Sequence, residues 1–552
     1  MLAATDDTSR VTAILGRVML AFNGTSVPAW LAERLAAEPA AGVTLFRAPN
    51  LRSPAQVRRL TRGVQAAAAR HGGGGGGGEA ALPLLIAADQ EGGQLLALGD
   101  GFTPFGSPMA IGATGDADLA ERVGRAIGRE LRAVGVNVDY APVLDVASNP
   151  ANPALGIRSF GDDPAAVGRL AAAWLTGLQS AGVAGAGKHF PGIGAAAEDT
   201  HLDLAVVDRS RAGLDARELP PFRAAIDAGV HLVMSGHFAS LGLAGSRTLP
   251  ATLSRRVMDD LLRGELGFDG VTITDALDME ALPQDATQAV DVVAAIRAGV
   301  DLLLATPDRR AQRRIESALR RAAEVELFDP DAMRASDARI ERLRRWLAGF
   351  EAAPLDVVGS AAHTDIAREL AQRSLTLVRD DAHLLPLRVG ADARVLAIMP
   401  APRDLTPADT SSYVAPSLAA ALRERHPGVD EIVTGHPPTD AEIALIVAGA
   451  PDYEAIVVGT ISATADGAQA ALVNRLLASG RPVVTVALRT PWDLAAYPGS
   501  ATHVCTYSIL PESMAALAAA LFGAAPRAGA AFPGRLPVAI EGIAARGEGM
   551  AA

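Results

Sequence analysis

Short apolar runs alternate with polar or glycine-rich turns and amphipathic stretches from the amino terminus to about residue 305, which is the pattern of strand and helix taken in turn. The runs Val18 to Phe22, Val43 to Phe46, Leu84 to Ala88, Val136 to Tyr140, Val183 to Gly187, Leu232 to Ser235, Val271 to Thr274 and Val300 to Leu304 predict strands. Eight strands of this kind close a (β/α)8 TIM-like barrel. Polar residues gather at their trailing ends: Asp89 after the third, Asp139 and Asp145 around the fourth, Lys188 and His189 after the fifth, His237 after the sixth and Asp275 after the seventh. Backbone satisfaction explains one or two such residues, whereas charges at five of eight strand ends fit the face where barrel enzymes keep their chemistry.

The arginine-rich stretch Arg309 to Phe350 has helical spacing and is expected to close the barrel with a solvated charged face. After Glu351-Ala-Ala-Pro354 the alternation resumes, with strands expected at Val395 to Met399, Ile432 to Thr434, Ala455 to Gly459, Val483 to Ala487 and Val504 to Tyr507. Helical stretches between them predict a doubly wound α/β sandwich domain. The expected boundaries are a catalytic barrel over 1–350, a linker over 351–365 and the second domain over 366–545. No G-x-G-x-x-G stands at a strand-to-helix turn there, so a nucleotide site has no support. The glycine run Gly72 to Gly78 reads as a flexible insertion and not as a phosphate cradle, because no Lys-Ser or Lys-Thr follows it.

Composition narrows the function. Lys and Arg total 50 against 62 Asp and Glu, and the net charge of -12 argues against nucleic acid or an anionic membrane as a partner. The first ten residues carry acids where a secretory signal has lysines, and no apolar run reaches membrane-spanning length, so a cytoplasmic enzyme is expected. The single cysteine, Cys505, leaves no intrachain disulfide and no thiolate metal cluster, and its apolar surroundings make it a core residue.

The richest segment runs from Lys188 to His201. The run Gly182-Val-Ala-Gly-Ala-Gly187 predicts a buried strand that delivers Lys188 and His189, after which Gly192 and Gly194 are expected to let the backbone swing. Asp199-Thr-His201 sets an acid two positions before an imidazole, so a carboxylate oxygen could orient the ring and raise its proton affinity. In isolation such a pair is more often a turn residue and a surface histidine. Asp275, leaving a buried strand, is held where a carboxylate nucleophile would need to be, with His201 as the proton-transfer partner and Asp89, Arg158, Lys188 and His189 as sugar contacts. A metal-dependent barrel hydrolase uses similar residues, but a binuclear site needs His-x-His after the first strand, and Val18-Met-Leu-Ala-Phe-Asn23 is followed by none.

Together, Asp89-Gln-Glu-Gly-Gly93, Tyr140-Ala-Pro-Val-Leu-Asp-Val146, Arg158-Ser-Phe-Gly-Asp-Asp-Pro164, the Lys188 to His201 loop and Thr274-Asp275 resemble the glycoside hydrolase family 3 β-N-acetylglucosaminidases of the NagZ type. Ser374-Leu-Thr-Leu-Val378, Leu384-Leu-Pro-Leu387 and Pro533-Gly-Arg-Leu-Pro-Val538 are similar to the α/β domain of two-domain members. The resemblance implies retaining removal of terminal β-linked N-acetylglucosamine, with Asp275 as nucleophile, Asp199 and His201 as acid/base dyad, and Asp89, Arg158, Lys188 and His189 binding the sugar. Asp145 and Asp163 are read as structural. The resemblance further implies no metal or cofactor, a short glycoside or muropeptide substrate, and a place in cell-wall recycling.

Family members commonly read Lys-His-Phe-Pro-Gly-His-Gly followed by Asp or Asn, and Ile193 and Ala195 depart from that. Two alternatives stay open. A histidine that has lost its proton is neutral and does not repel phosphate as a glutamate would, so phosphorolysis competes with hydrolysis. The altered loop also admits a sugar-binding protein without turnover. The four tryptophans, Trp30, Trp174, Trp346 and Trp492, lie in helix-like stretches, so no aromatic platform for a long polysaccharide is evident. Oligomeric state is not legible.

Overall fold

The structure, a computed structural model, describes residues 10–70, 82–199, 202–523 and 530–550. The Gly72 to Gly78 run lies outside the described residues. Eight parallel strands close a barrel in sequential order: β1 (Val18–Ala21), β2 (Gly42–Thr44), β3 (Leu85–Ala88), β4 (Val138–Asp139), β5 (Ala184–Phe190), β6 (Leu232–Ser235), β7 (Val271–Ala276) and β8 (Leu302–Leu304). They are the eight apolar runs of the sequence with shifted ends. β4 is shorter than its run, and beyond it the chain passes through Pro142, which brings no N–H to a ladder. β5 is longer than its run, since its pairing with β6 continues through Phe190 to Ser235 past an irregular register.

Inward-facing apolar residues of the barrel, among them Met19, Leu85, Val138, Ala186, Met234 and Ile273, form one packed cluster, so the lumen is a core and not a channel. The arginine-rich stretch forms helices Arg309–Glu324 and Pro330–Ala348, as its spacing predicts. At the amino-terminal face, Asp301 accepts from Arg263 Nη2 at 2.8 Å, Arg339 Nη2 at 2.7 Å and the Thr272 N–H at 2.9 Å. Burial alone would raise this carboxyl, but Arg339 and Arg263 hold it below the usual carboxylate range. That pairing ties the root of β7 to the last barrel helix, and β7 carries Asp275 at its other end.

The second sheet has six strands: β9 (Thr376–Asp380), β10 (Val395–Pro400), β11 (Val429–Thr434), β12 (Ala455–Thr460), β13 (Val483–Ala487) and β14 (Thr502–Cys505), in the spatial order β9-β14-β13-β12-β10-β11. β9 is antiparallel to β14 and is absent from the sequence expectation, because two of its five residues are only partly buried and its polar end blurs the apolar run. Cys505 is buried in this core. Within 351–365, expected as linker, the structure has a turn at Leu355–Val357 and the start of helix Ala361–Ser374. That helix returns to the barrel, where His363 Nδ1 meets Glu130 Oε1 at 2.8 Å. The carboxy-terminal segment also crosses back: the N–H groups of Asp162 and Ala539 and the side chains of Arg546 and Asp162 join it to the loop that follows β4. Among the described residues no helix is long and apolar enough to cross a membrane.

Asp301→Ala strands two buried guanidinium groups, and it is expected to cost about 3 kcal/mol. Urea unfolding followed at pH 7 checks this, and a midpoint equal to wild type would refute the structural role of the pair.

Candidate active site

β5 is buried throughout, and its small residues allow close packing: a side chain at Gly185 would meet Leu175. Its last residues turn functional groups into the barrel mouth through two cis peptides, Lys188–His189 and Phe190–Pro191. Lys188 Nζ donates to Asp89 Oδ1 at 2.7 Å and lies 2.6 Å from Glu91 Oε1. Glu91 belongs to a hairpin after β3, in which Gln90–Gly92 pairs with Leu95–Leu96. Its carboxylate receives a two-point fork from Arg158, Nε at 2.8 Å and Nη2 at 2.7 Å. The Glu91 side chain is 0% exposed, Lys188 2% and Arg158 4%. Burial pushes the Glu91 carboxyl up, yet the charges of Arg158 and Lys188 outweigh it and bring the group down to about 2. Burial pulls Lys188 and Arg158 down, yet Asp89 and Glu91 hold Lys188, and Glu91 holds Arg158, above their ordinary values.

The second half of the site is organised by Asp145. Its Oδ2 accepts from the backbone N–H of His189 at 3.1 Å and from ring Nδ1 at 2.7 Å, and its Oδ1 accepts from Ile193 N–H at 2.8 Å. Because carboxylate oxygens accept, the proton sits on Nδ1 and the other nitrogen, Nε2, faces Asp275 Oδ2 at 4.0 Å. Asp275 Oδ1 accepts from the N–H of Ala276 at 2.8 Å. Behind it His237 is fully buried, with Nε2 3.2 Å from the Ala276 carbonyl and Nδ1 3.0 Å from Thr252 Oγ1. Burial lowers the His237 ring below the ordinary histidine value. Asp275, His189, Arg158, Ile193 and Leu155 line one small cleft.

The loop after β5 is anchored, which corrects the expectation that glycines free it. A Cβ on Gly194 would stand 1.7 Å from the Val146 carbonyl oxygen, so glycine serves close approach there. The Ile193 carbonyl accepts from Asn152 Nδ2 at 2.9 Å, and the Ala196 carbonyl accepts from Asn149 Nδ2 at 2.9 Å. Ile193 and Ala196 are buried with Val207, Leu214 and Phe238, and beyond the loop Ala205–Val207 pairs in parallel with Phe238–Ser240. Asp199 is buried, and its carbonyl accepts from the N–H groups of Leu202 and Asp203 at 2.9 and 3.1 Å. His201, the other half of the expected dyad, lies outside the described residues.

A model of the glycosyl hydrolase family 3 N-terminal domain matches residues 19–343, the stretch that holds nearly all of the barrel and this cleft. The chain belongs to glycosyl hydrolase family 3. It is 36% identical over 405 residues to beta-hexosaminidase A of Pseudoalteromonas piscicida, a match covering 68% of this chain and 65% of that protein, so it spans just under two thirds of that relative's length. To the beta-hexosaminidase of Nitrosomonas eutropha it is 35% identical over 300 residues, covering 53% of this chain and 81% of the relative. A solved family 3 beta-N-acetylglucosaminidase from Paenibacillus sp. str. FPU-7 superposes with a TM-score of 0.87 at 33% identity, over 96% of this chain and 98% of that one.

Within this family 3 barrel, His189, Arg158 and Asp275 line the cleft and Asp89 pairs with Lys188 beside Glu91, while Arg158 is committed to Glu91 and to the Ala154 carbonyl at 3.0 Å. Asp163 caps the helix Pro164–Ser180 through the N–H groups of Ala165 and Ala166. Three acidic groups exceed their sequence roles. Glu91 was visible in Asp89-Gln-Glu-Gly-Gly93, but the hairpin that turns it inward has no signature in a strand–helix pattern. Asp145 holds both His189 and Ile193. Asp139 is fully buried, and its Oδ1 accepts from the Gln90 N–H at 2.9 Å. Burial pushes its carboxyl up to about 8, against the Gln90 N–H and Lys188 and with help from Asp89 and Glu91.

Asp139 therefore keeps its proton at neutral pH, whereas in the unfolded chain the group ionises near pH 3.9. Between those values the folded state holds the extra proton, so wild-type stability falls as pH rises from about 4 to about 8 and levels off beyond. Asp139→Asn removes that loss. Urea unfolding at pH 5 and pH 7.5 should show the variant's advantage widening with pH, and a constant difference would contradict the neutral carboxyl.

Proposed function

We propose that this protein is a retaining exo-β-N-acetylglucosaminidase that removes terminal β-linked N-acetylglucosamine from short glycosides or muropeptides. The observation that carries the proposal is Asp275: a carboxylate at the mouth end of β7, with one oxygen on the Ala276 N–H and the other 4.0 Å from His189 Nε2, in the same cleft as Arg158. Relatives named beta-hexosaminidase, 36% and 35% identical over 405 and 300 residues, support the sugar.

In the first step an Asp275 oxygen bonds to the anomeric carbon as the glycosidic C–O bond breaks, and the departing oxygen takes a proton from His201. Asp199 orients that ring. Water then attacks the same carbon, its proton returns to His201, and the bond to Asp275 breaks with retention of configuration. Asp89 and Lys188 bind sugar hydroxyls, His189 lies against the reacting carboxylate, and Arg158 borders the sugar while held by Glu91. Trp30, Trp174 and Trp346 sit in helices and Trp492 in a 3-10 turn, away from the cleft lining, which favours a short substrate over a stacked polysaccharide. Muropeptide trimming in the cytoplasm is the setting that the family resemblance suggests.

Asp275→Ala is expected to lower kcat/KM on an aryl β-N-acetylglucosaminide by roughly 10⁴-fold, the scale of losing a covalent catalyst. A 2-deoxy-2-fluoro glycoside inactivator should esterify Asp275, located by tandem mass spectrometry of the labelled peptide. A label on another residue, or tight sugar binding by wild type without any turnover, would refute the assignment.

A further inference from the structure

The hairpin that presents Glu91 is not held by the barrel alone. Its outer strand, Leu95–Leu96, is met by the loop that follows β10 in the second domain. The Thr410 N–H donates to the Gln94 carbonyl at 2.8 Å, and the Thr410 hydroxyl donates to the same carbonyl at 3.0 Å while accepting from the Leu96 N–H at 3.0 Å. One side chain thus joins both hairpin residues. Leu96 is gripped from its other side as well, where its carbonyl accepts from Arg47 Nη1 at 3.1 Å. That guanidinium lies 4.3 Å from the ring centroid of Tyr413, which comes from the same second-domain loop.

The loop is itself rigidly built. Asp409, the residue before Thr410, is fully buried as a side chain and accepts from Arg489 Nη2 at 2.8 Å, from Leu405 N–H at 3.1 Å and from Ser411 N–H at 2.9 Å. Arg489 follows β13, so the chain of contacts runs from the second sheet through Asp409 and Thr410 to the hairpin. At the hairpin's inner end stands Glu91, on which Lys188 and Arg158 depend.

We propose that Thr410 is a positioning residue for sugar binding: the second domain sets the affinity of the barrel's cleft by fixing the hairpin that carries Glu91. The proposal rests on the N-acetylglucosaminidase function proposed above. Thr410 touches no sugar. It removes conformations in which Glu91 drifts and Lys188 and Arg158 lose their alignment, so its loss weakens ground-state binding more than the chemical step.

The test compares full-length wild type with Thr410→Val, which keeps the β-branched shape and removes the hydroxyl, and with Thr410→Ser, which restores it. N-acetylglucosamine binding is measured by calorimetry, and amide hydrogen exchange is followed in Gln90–Leu96. Thr410→Val should weaken binding about tenfold and speed exchange in the hairpin while the barrel strands keep wild-type protection, and Thr410→Ser should recover both. Tyr413→Ala, at a half-exposed position that folding tolerates, should weaken binding about threefold through Arg47. A loosened hairpin with unchanged affinity overturns the proposal, and so does weaker binding with unchanged hairpin exchange. A wild type that binds no N-acetylglucosamine instead refutes the functional assignment, and this inference falls with it.

Discussion

The fork between Glu91 and Arg158, with Lys188 on the same carboxylate, is the contact on which the site depends. Four charges lie below or at the floor of the cleft, two acids in Asp89 and Glu91 and two bases in Lys188 and Arg158. A balanced set of this kind tolerates burial only with every partner in place, because the desolvation cost of each charge is offset by its neighbours alone. An ionised Asp139 would be repelled by both Asp89 and Glu91. Asp139 satisfies the constraint by keeping its proton, and its Oδ1 is spent on the first N–H of the hairpin that delivers Glu91.

From that network outward, the fold divides its labour by height. At the amino-terminal face Asp301 locks β7 to the closing helix, and at the carboxyl face the same strand releases Asp275 into the cleft. Strand β5 does the same for Lys188 and His189. The loop beyond β5 then leaves the barrel as a packed element, pinned at Ile193 by Asp145 and Asn152 and sealed by a small apolar cluster. Ile193 and Ala195, where the sequence departs from its family's common loop, accordingly belong to the packing of that segment. An isoleucine at 193 is buried at 5% exposure, which suits an apolar anchor better than a polar contact with substrate.

Much of this was legible in the sequence, for physical reasons that differ by element. The eight barrel strands show as apolar runs because parallel strands are buried on both faces, and charged residues at their ends stand out against those runs. Lys188, His189, Asp89 and Asp275 were therefore legible as strand-end residues. Edge strand β9 was not, since partial exposure leaves it a mixed pattern. Glu91 was overlooked because its inward direction follows from a two-stranded hairpin within a βα connection, and pattern alone does not set that direction. The glycines of the β5 loop misled: Gly194 signals a backbone carbonyl at van der Waals contact, and sequence cannot separate that demand from freedom to move. The link from Thr410 to the hairpin spans 314 residues and has no local signature at all.

The most direct measurement of the central claim is N-acetylglucosamine affinity in Glu91→Gln, a substitution that preserves shape and removes one charge. Lys188 would then pair with Asp89, Arg158 would hold the Ala154 carbonyl in place of a carboxylate fork, and the cleft should lose its alignment. Titration calorimetry on the folded variant is expected to show affinity reduced by about 100-fold or more, which corresponds to about 3 kcal/mol. Wild-type affinity in a fully folded Glu91→Gln protein would contradict the account.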